Sequence, residues 1–302
     1  MAIVHSEQLS YQYGQHNVHQ PLALNNVSFT LEQGLFTAVL GSTGSGKSTL
    51  MQHMNGIFQP TKGRLQVYDV TFEGGSKVKG LKPLRSRVGL VFQFPEQQLF
   101  EETLEKDLMF GPLQFGKSKE EAHEAAVQAL HAVGLSEELL TRSPFELSGG
   151  QMRKAAIATV LASDPDLLVL DEPTATLDPV SRYELLAMLK RLSTERGKTI
   201  VMVTHRVDEV LEAADRFILM KQGELVFHGT REEMLDDCSI LHEAGIIIPE
   251  TMQLALQMHQ LTGTPYRELP IRAEDWADWI ATRLSAAAGS SPNTVKEGKS
   301  CS

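Results

Sequence analysis

The sequence predicts an α/β fold, a mainly parallel core sheet with helices on both faces. Two observations predict it, and a third marks where its pattern ends. Short apolar runs bounded by glycine or polar turn residues alternate with segments of helical spacing, the pattern of strand–helix–strand units around a parallel sheet. A glycine-rich loop joins the end of one such run to a helix. After about Thr230 the character changes, and Pro249, Gly263, Pro265 and Pro270 divide the remainder into short helices.

The elements follow in order. Val27–Leu31 alternates as a half-buried strand does, and Phe36–Leu40 is an apolar run between glycines, which reads as a buried strand. Gly41 to Gly46 is the loop, and Lys47–Met54 continues as a helix. Arg64–Val67 and Val88–Phe92 are further strand candidates. From about Glu101 to Val133 the pattern is helical: Ser118 with Glu121 three positions on is a capping pair, and Gly134 ends the helix. Leu167–Leu170 and Ile200–Val203 are two more buried strands. Beyond Thr230, Leu254, Met258 and Leu261 share one helical face, and Trp276, Ile280 and Leu284 share another. From Ala286 onward the chain is small and polar, which predicts disorder.

The net charge of −10 argues against a broad nucleic-acid surface, because neutralising phosphates needs clustered Lys and Arg. The two cysteines, Cys238 and Cys301, predict no disulfide framework. The first residues lack a basic segment followed by an apolar one, so no signal peptide is expected. No stretch is long and apolar enough to span a bilayer. Work at a membrane would go through a partner.

Gly41-Ser42-Thr43-Gly44-Ser45-Gly46-Lys47-Ser48 fits the phosphate-loop pattern in full, with a strand before it and a helix after it. Several backbone N–H groups must point inward at a phosphate chain, and glycine tolerates the angles this requires. The helix presents its positive end to the phosphates. Lys47 is placed to reach the β- and γ-phosphates and Ser48 to hold Mg²⁺, with Thr49 next in the helix. The loop alone leaves kinases, GTPases and motor ATPases open, although no Asn-Lys-x-Asp guanine signature follows.

Leu147-Ser148-Gly149-Gly150-Gln151 precedes the helix-competent run Met152–Ala158. A Ser-Gly-Gly before a helix makes a second amide-rich anion site. With the chain's own phosphates in the first loop, its natural use is to clamp the nucleotide of another subunit. This segment resembles the signature sequence of ABC ATPases. The resemblance implies a P-loop ABC ATPase domain over residues 1–230, with an antiparallel β subdomain and a helical subdomain inserted at about 94–163. A small C-terminal helical extension over 231–285, a candidate dimerisation element, and a disordered tail over 286–302 would follow.

The other landmarks arrive in the family's order. Leu167–Leu170 with Asp171 and Glu172 resembles a Walker B strand, whose end delivers two carboxylates. Asp171 would hold Mg²⁺ through water, and Glu172 would be the general base. His205 resembles the switch histidine that contacts the γ-phosphate. Gln93 resembles the Q-loop glutamine, which contacts Mg²⁺ or the attacking water. Tyr13 resembles the aromatic that stacks on adenine, with Tyr11 as a competing candidate. Asp178 resembles the D-loop aspartate that crosses the dimer interface. Thr176 stands where many relatives carry Gly, which leaves that loop's geometry open.

The stretches Phe92–Asp107, Phe110–Pro112 and Ser143–Arg153 are more particular. They look like the ATPase subunits of energy-coupling factor transporters, closer to the second of the paired ATPases. That implies ATP hydrolysis coupled to uptake of vitamins or metal ions, at the cytoplasmic face of the membrane. The partners implied are a paralogous ATPase (or a second copy of this chain), a membrane coupling subunit and substrate-binding membrane subunits. Phe94, Leu99 and Phe100, flanked by Glu101, Glu102 and Asp107, suit an amphipathic helix from the coupling subunit. Two other classes stay open: a mechanical ABC protein acting on DNA or ribosomes, and a non-hydrolysing regulatory module. The chain's acidity and its lack of a coiled-coil insertion oppose the first, and Glu172 with His205 opposes the second.

Overall fold

The structure is a computed structural model that describes residues 1–14, 21–237, 239–270 and 272–289. Among these residues ten strands form two sheets. In chain order they are β1 (Ala2–Tyr11), β2 (Leu24–Glu32), β3 (Phe36–Gly41), β4 (Lys62–Val67), β5 (Val70–Glu73), β6 (Val88–Val91), β7 (Leu167–Asp171), β8 (Thr199–Val203), β9 (Arg216–Lys221) and β10 (Glu224–Gly229). The helices are α1 (Lys47–Met54), α2 (Lys82–Arg87), α3 (Leu104–Gln114), α4 (Lys119–Ala132), α5 (Gly149–Leu161), α6 (Pro179–Arg196), α7 (Val207–Val210), α8 (Arg231–Asp236), α9 (Ser239–Glu243), α10 (Glu250–Thr262) and α11 (Ala273–Gly289).

The larger sheet runs β10-β9-β3-β8-β7-β6, parallel throughout except for the antiparallel edge strand β10. Its central strands β3, β7 and β8 are buried at every position, which is why each reads as an unbroken apolar run rather than an alternation. The smaller sheet, β2-β1-β4-β5, is antiparallel. Helix α1 lies in the core between them. Its Leu50, Met51 and Met54 pack in one cluster with Val4, Leu9, Phe29 and Leu65 of the small sheet and Val39, Val169 and Val201 of the large one. The α/β expectation is borne out, and the antiparallel β subdomain with it.

Between β6 and β7 the chain is helical, through α3, α4 and α5. The Ser118–Glu121 capping box forms at α4 as the sequence predicts. Strands β9 and β10 have no counterpart among the elements read from sequence. They form a hairpin whose two-residue turn, Gln222-Gly223, has both φ values positive (49° and 84°), the type I′ geometry that matches strand twist. Gln at the first turn position is a weak signal where Asn would be a strong one.

The chain divides into two compact units between Ile247 and Ile248, so α8 and α9 pack with the first. In the second unit, Ala255 of α10 and Trp276 of α11 are buried together with Leu269. Leu261 and Ile280 of the two predicted stripes are exposed instead. Helix α11 carries the predicted tail as far as Gly289, and the rest of that tail, with Cys238 and Cys301, lies outside the described residues.

Candidate functional site

The phosphate loop connects β3 to α1. Gly41, Gly44 and Gly46 have φ of 153°, 81° and 100°, the region that favours glycine. A Cβ at Gly46 would lie 2.5 Å from the Ala23 carbonyl oxygen, so this turn also excludes side chains by packing. The loop is braced from outside: the Gly223 N–H donates to Ser45 O (2.9 Å) and the Ser42 N–H to Ala244 O (3.2 Å). The Lys47 ammonium is buried and donates to Gly41 O and Ser42 O, 2.8 Å each. Burial pushes its pKa down, and the carboxylates of Glu172 and Asp171 oppose that shift.

Strand β7 delivers those carboxylates. Asp171, its last residue, is buried, which raises its pKa; a hydrogen bond with Ser48 acts in the opposite sense. Glu172 follows in a left-handed conformation (φ 48°), a strain of about 1–3 kcal/mol. Its N–H donates to Val203 O of β8 (2.9 Å), which holds that conformation. The Glu172 Oε1 accepts from His205 Nδ1 at 2.8 Å; Glu172 is 14% exposed and His205 61%. Lys47, Ser48, Asp171, Glu172 and His205 therefore meet at the carboxyl ends of adjacent parallel strands, where open α/β sheets place their ligands.

Gln93 is exposed, two residues past the end of β6. Tyr13 lies beyond β1, 43% exposed, with its hydroxyl 2.8 Å from Thr49 Oγ1. It stands edge-on to Tyr11 and Phe58, with centroids 5.1 and 5.4 Å away. Tyr11, the competing candidate, stacks on Phe58 (5.0 Å, 23°) and is half-buried, which leaves Tyr13 the more open ring. Asp178 caps α6, accepting from the N–H groups of Val180 and Ser181 at 3.0 Å.

The Ser148–Gln151 segment forms a capping box. Ser148 Oγ accepts from the Gln151 N–H (3.3 Å) and Gln151 Oε1 from the Ser148 N–H (3.1 Å). Gly149 and Gly150 open α5, with N–H groups of the kind that a helix cannot satisfy internally. A Cβ at either would meet nothing within 4 Å.

A family profile described as ABC transporter matches residues 24–175. The energy-coupling factor transporter ATP-binding protein EcfA2 of Geobacillus kaustophilus (strain HTA426) is 49% identical over 273 residues, covering 89% of this chain and 94% of that protein. The chain belongs to this family of ABC ATP-binding proteins. The EcfA2 of Enterococcus faecalis (strain ATCC 700802 / V583) is 43% identical, over 93% of this chain and 97% of that one. Among solved structures, cbiO1 from Clostridium perfringens, part of the ABC transporter complex cbiONQ, superposes with TM-score 0.70 at 33% identity, covering 84% of this chain and 98% of that one. A dimeric ATP-binding cassette bound to ADP and Pi in a post-hydrolysis state gives 0.67 at 30% identity, over 76% and 98% of the two chains. As a member of this family, the chain is an ATPase subunit of an energy-coupling factor transporter. Among the described residues no helix is long and apolar enough to cross a membrane.

Four further polar residues surround the strand ends. Glu209, with its side chain 3% exposed, accepts from Thr174 Oγ1 (2.6 Å) and pairs with Arg206 (2.8 Å) and Arg182 (3.1 Å). Burial raises its pKa, and the Thr174 bond and the two arginines oppose this. The network ties the loop after Glu172 to the segment after His205. A glutamate in an otherwise ordinary Val207–Val210 turn gives no sequence signal for such a role.

A cleft of about 330 Å³ lies between β6, α3 and α5, lined by Ile57, Leu90, Phe92, Phe100, Phe110 and Asp107 among others. It modifies the groove read from sequence. Leu99 is buried, and Asp107 lies buried in the cleft wall with its Oδ1 accepting from the N–H groups of Phe100 and Glu101 (3.2 and 3.3 Å), so it holds the loop and offers no exposed acidic rim. Phe94, as the sequence predicts, and Phe100 are exposed, and Phe110 joins them, with Phe100 edge-on to Phe110 at 5.3 Å.

Proposed function

We propose that the chain hydrolyses Mg-ATP in a pocket completed by a second ATPase subunit, and that this work, done at the cytoplasmic face of a membrane, drives uptake of vitamins or metal ions. Gly41 to Thr49 hold the triphosphate, with Lys47 on the β- and γ-phosphates and Tyr13 against adenine. Ser48, Asp171 and Gln93 are hard oxygen donors suited to Mg²⁺, and the Ser48–Asp171 hydrogen bond already brings two of them together. When bound, Mg²⁺ offsets the charge of the β- and γ-phosphates. Glu172 orients and polarises the attacking water, and His205, bonded to its carboxylate, steadies it and faces the γ-phosphate. Asp178 approaches the partner across the dimer interface.

The observation that carries the two-chain reading is the pair Gly149 and Gly150. Neither has the backbone angle that demands glycine, and neither has a neighbour that would exclude a side chain. Nothing among the described residues calls for two glycines there. A phosphate from another subunit approaching the bare end of α5 does, because anions sit against such amides.

The other ATPase is a paralogue or a second copy of this chain. The Phe100–Phe110 surface suits an amphipathic helix of the membrane coupling subunit, and substrate choice rests with separate membrane subunits. The test is Glu172→Gln in the full chain. ATP affinity should stay within about twofold, turnover should fall by roughly three orders of magnitude for loss of a general base, and ATP should drive two chains together. Undiminished turnover would remove Glu172 from its role, and a variant that stays monomeric with saturating ATP, its partner ATPase present, would sink the shared pocket.

A further inference from the structure

Arg153 lies on α5, two residues past Gln151, with its side chain only 3% exposed. An arginine so deeply placed needs partners, and it finds them on two other segments. Its Nη1 donates to the Ala175 carbonyl oxygen and, at 2.9 Å, to Thr176 Oγ1, both in the loop between β7 and α6. Its Nε lies 3.5 Å from Glu96 Oε2, in the turn that follows Gln93. Nε and Nη2 make no hydrogen bond within the described chain, nor does Glu96 Oε2. The guanidinium is thus firmly bonded on one side and loosely paired on the other.

Thr176 completes the picture. Its φ is +69°, an outlier for a β-branched residue. A glycine would adopt that angle freely but could not accept from Arg153. Threonine tolerates the angle here because its hydroxyl and the preceding carbonyl are both held by one guanidinium. On the far side, Arg182 Nη2 donates to Leu177 O (3.1 Å) and pairs with Glu209. The loop of residues 175–177 is therefore suspended between two arginines, one on α5 and one on α6.

We propose that Arg153 is a positioning residue that couples the two nucleotide-facing surfaces of this chain. One surface is the Ser148–Gln151 end of α5, and the other is the end of β7 with Asp171 and Glu172. A shift of α5 as a partner's nucleotide docks on Gly149 and Gly150 moves the Arg153 guanidinium, and with it the loop three residues beyond Glu172. Glu96 brings the turn after Gln93 into the same junction. Arg153 touches neither nucleotide; it makes the geometry of one site depend on occupation of the other. This inference rests on the two-chain reading above.

The test uses the purified full chain, with its cognate second ATPase where turnover requires it. Arg153→Met should leave ATP affinity near wild type, lower the thermal midpoint while the variant stays folded, lower kcat at least tenfold and, on the Glu172→Gln background, abolish ATP-driven association. Thr176→Ala should lower kcat about three- to tenfold and Thr176→Ser should restore it. The Arg153→Met/Thr176→Ala double variant should be no slower than Arg153→Met. Where Arg153→Met does not fold, Arg153→Lys, which keeps the charge and loses the fork, replaces it with an expected fivefold loss. A folded Arg153 variant with wild-type kcat, additive losses in the double variant, or parallel losses of kcat and ATP affinity would each overturn the assignment. If Glu172→Gln itself fails to associate, the two-chain reading falls, while the kcat comparison still decides whether Arg153 positions the loop.

Discussion

Replacing Gly150 with alanine separates what this chain needs for its own fold from what it needs for its partner. Gly150 is the second residue of α5. Beyond its own helix backbone and chain neighbours, the methyl group enters space with no described atom within 4 Å, at a backbone angle open to any residue. Alanine in a helix interior is favoured over glycine by roughly 0.5–1 kcal/mol, and the first turn should realise about half of that. For a unit of this size the gain corresponds to a rise of about 0.5–2 °C in Tm. The same methyl group lies beside N–H groups that, on the two-chain reading, face a γ-phosphate. Loss of one charge-assisted hydrogen bond there costs about 1.5–3 kcal/mol, or roughly one to two orders of magnitude in turnover. ATP affinity at the chain's own loop should be untouched. The assay is phosphate release at saturating Mg-ATP beside a calorimetric melt on the same preparation. The expected outcome is a more stable, slower enzyme. Turnover within threefold of wild type would refute the idea that Gly150 serves a ligand, and a lowered Tm would refute the reading of the space around it.

Other perturbations address different parts of the site. His53 is fully buried, donates from Nδ1 to Thr49 O (2.7 Å), and burial takes its pKa down from 6.5 to about 4. The unfolded chain therefore binds this proton first as pH falls. Stability is intact above pH 6.5 and lost progressively toward pH 4, by about 3 kcal/mol at most; His53→Gln should flatten the melting midpoint across that window. Tyr13→Phe, which keeps the ring but not the bond to Thr49, should retain most ATP affinity, whereas Tyr13→Ala should weaken it about tenfold by loss of stacking; equal losses in a nucleotide titration would shift the role from ring to hydroxyl. Phe110→Asp, or charge reversal at Glu101 and Glu102, should reduce recovery of the membrane coupling subunit in a pull-down from membranes while ATPase activity of the isolated chain persists; full recovery would place docking elsewhere.

The central strands and the phosphate loop were legible in sequence because each obeys a local rule. β3, β7 and β8 are buried on both faces and so read as apolar runs, and the loop needs glycine at fixed backbone positions. Asp171, Glu172 and His205 were legible because they end such strands. What escaped was set by distance along the chain. Arg153 looks like one more cation on a helix until Thr176 and Glu96 are seen beside it. Glu209 acquires its role only from Thr174, Arg182 and Arg206. Leu99 and Asp107 were placed on a surface groove because no local pattern distinguishes an acidic rim from a buried carboxylate bonded to two N–H groups. The β9–β10 hairpin was missed because its turn lacks the usual Asn-Gly.

That hairpin bears on how the protein is made. The turn at Gly223 braces Ser45, and the central strand β3 is flanked on one side by β8 and on the other by β9. Every one of those supports is synthesised more than 150 residues after the loop they hold. A ribosome that has released the whole glycine motif has not yet produced a receptor for triphosphate. ATP affinity should therefore emerge late in translation, and C-terminal truncations ending between about residues 206 and 223 should lose nucleotide binding even though every residue that would touch the phosphates in this chain is present.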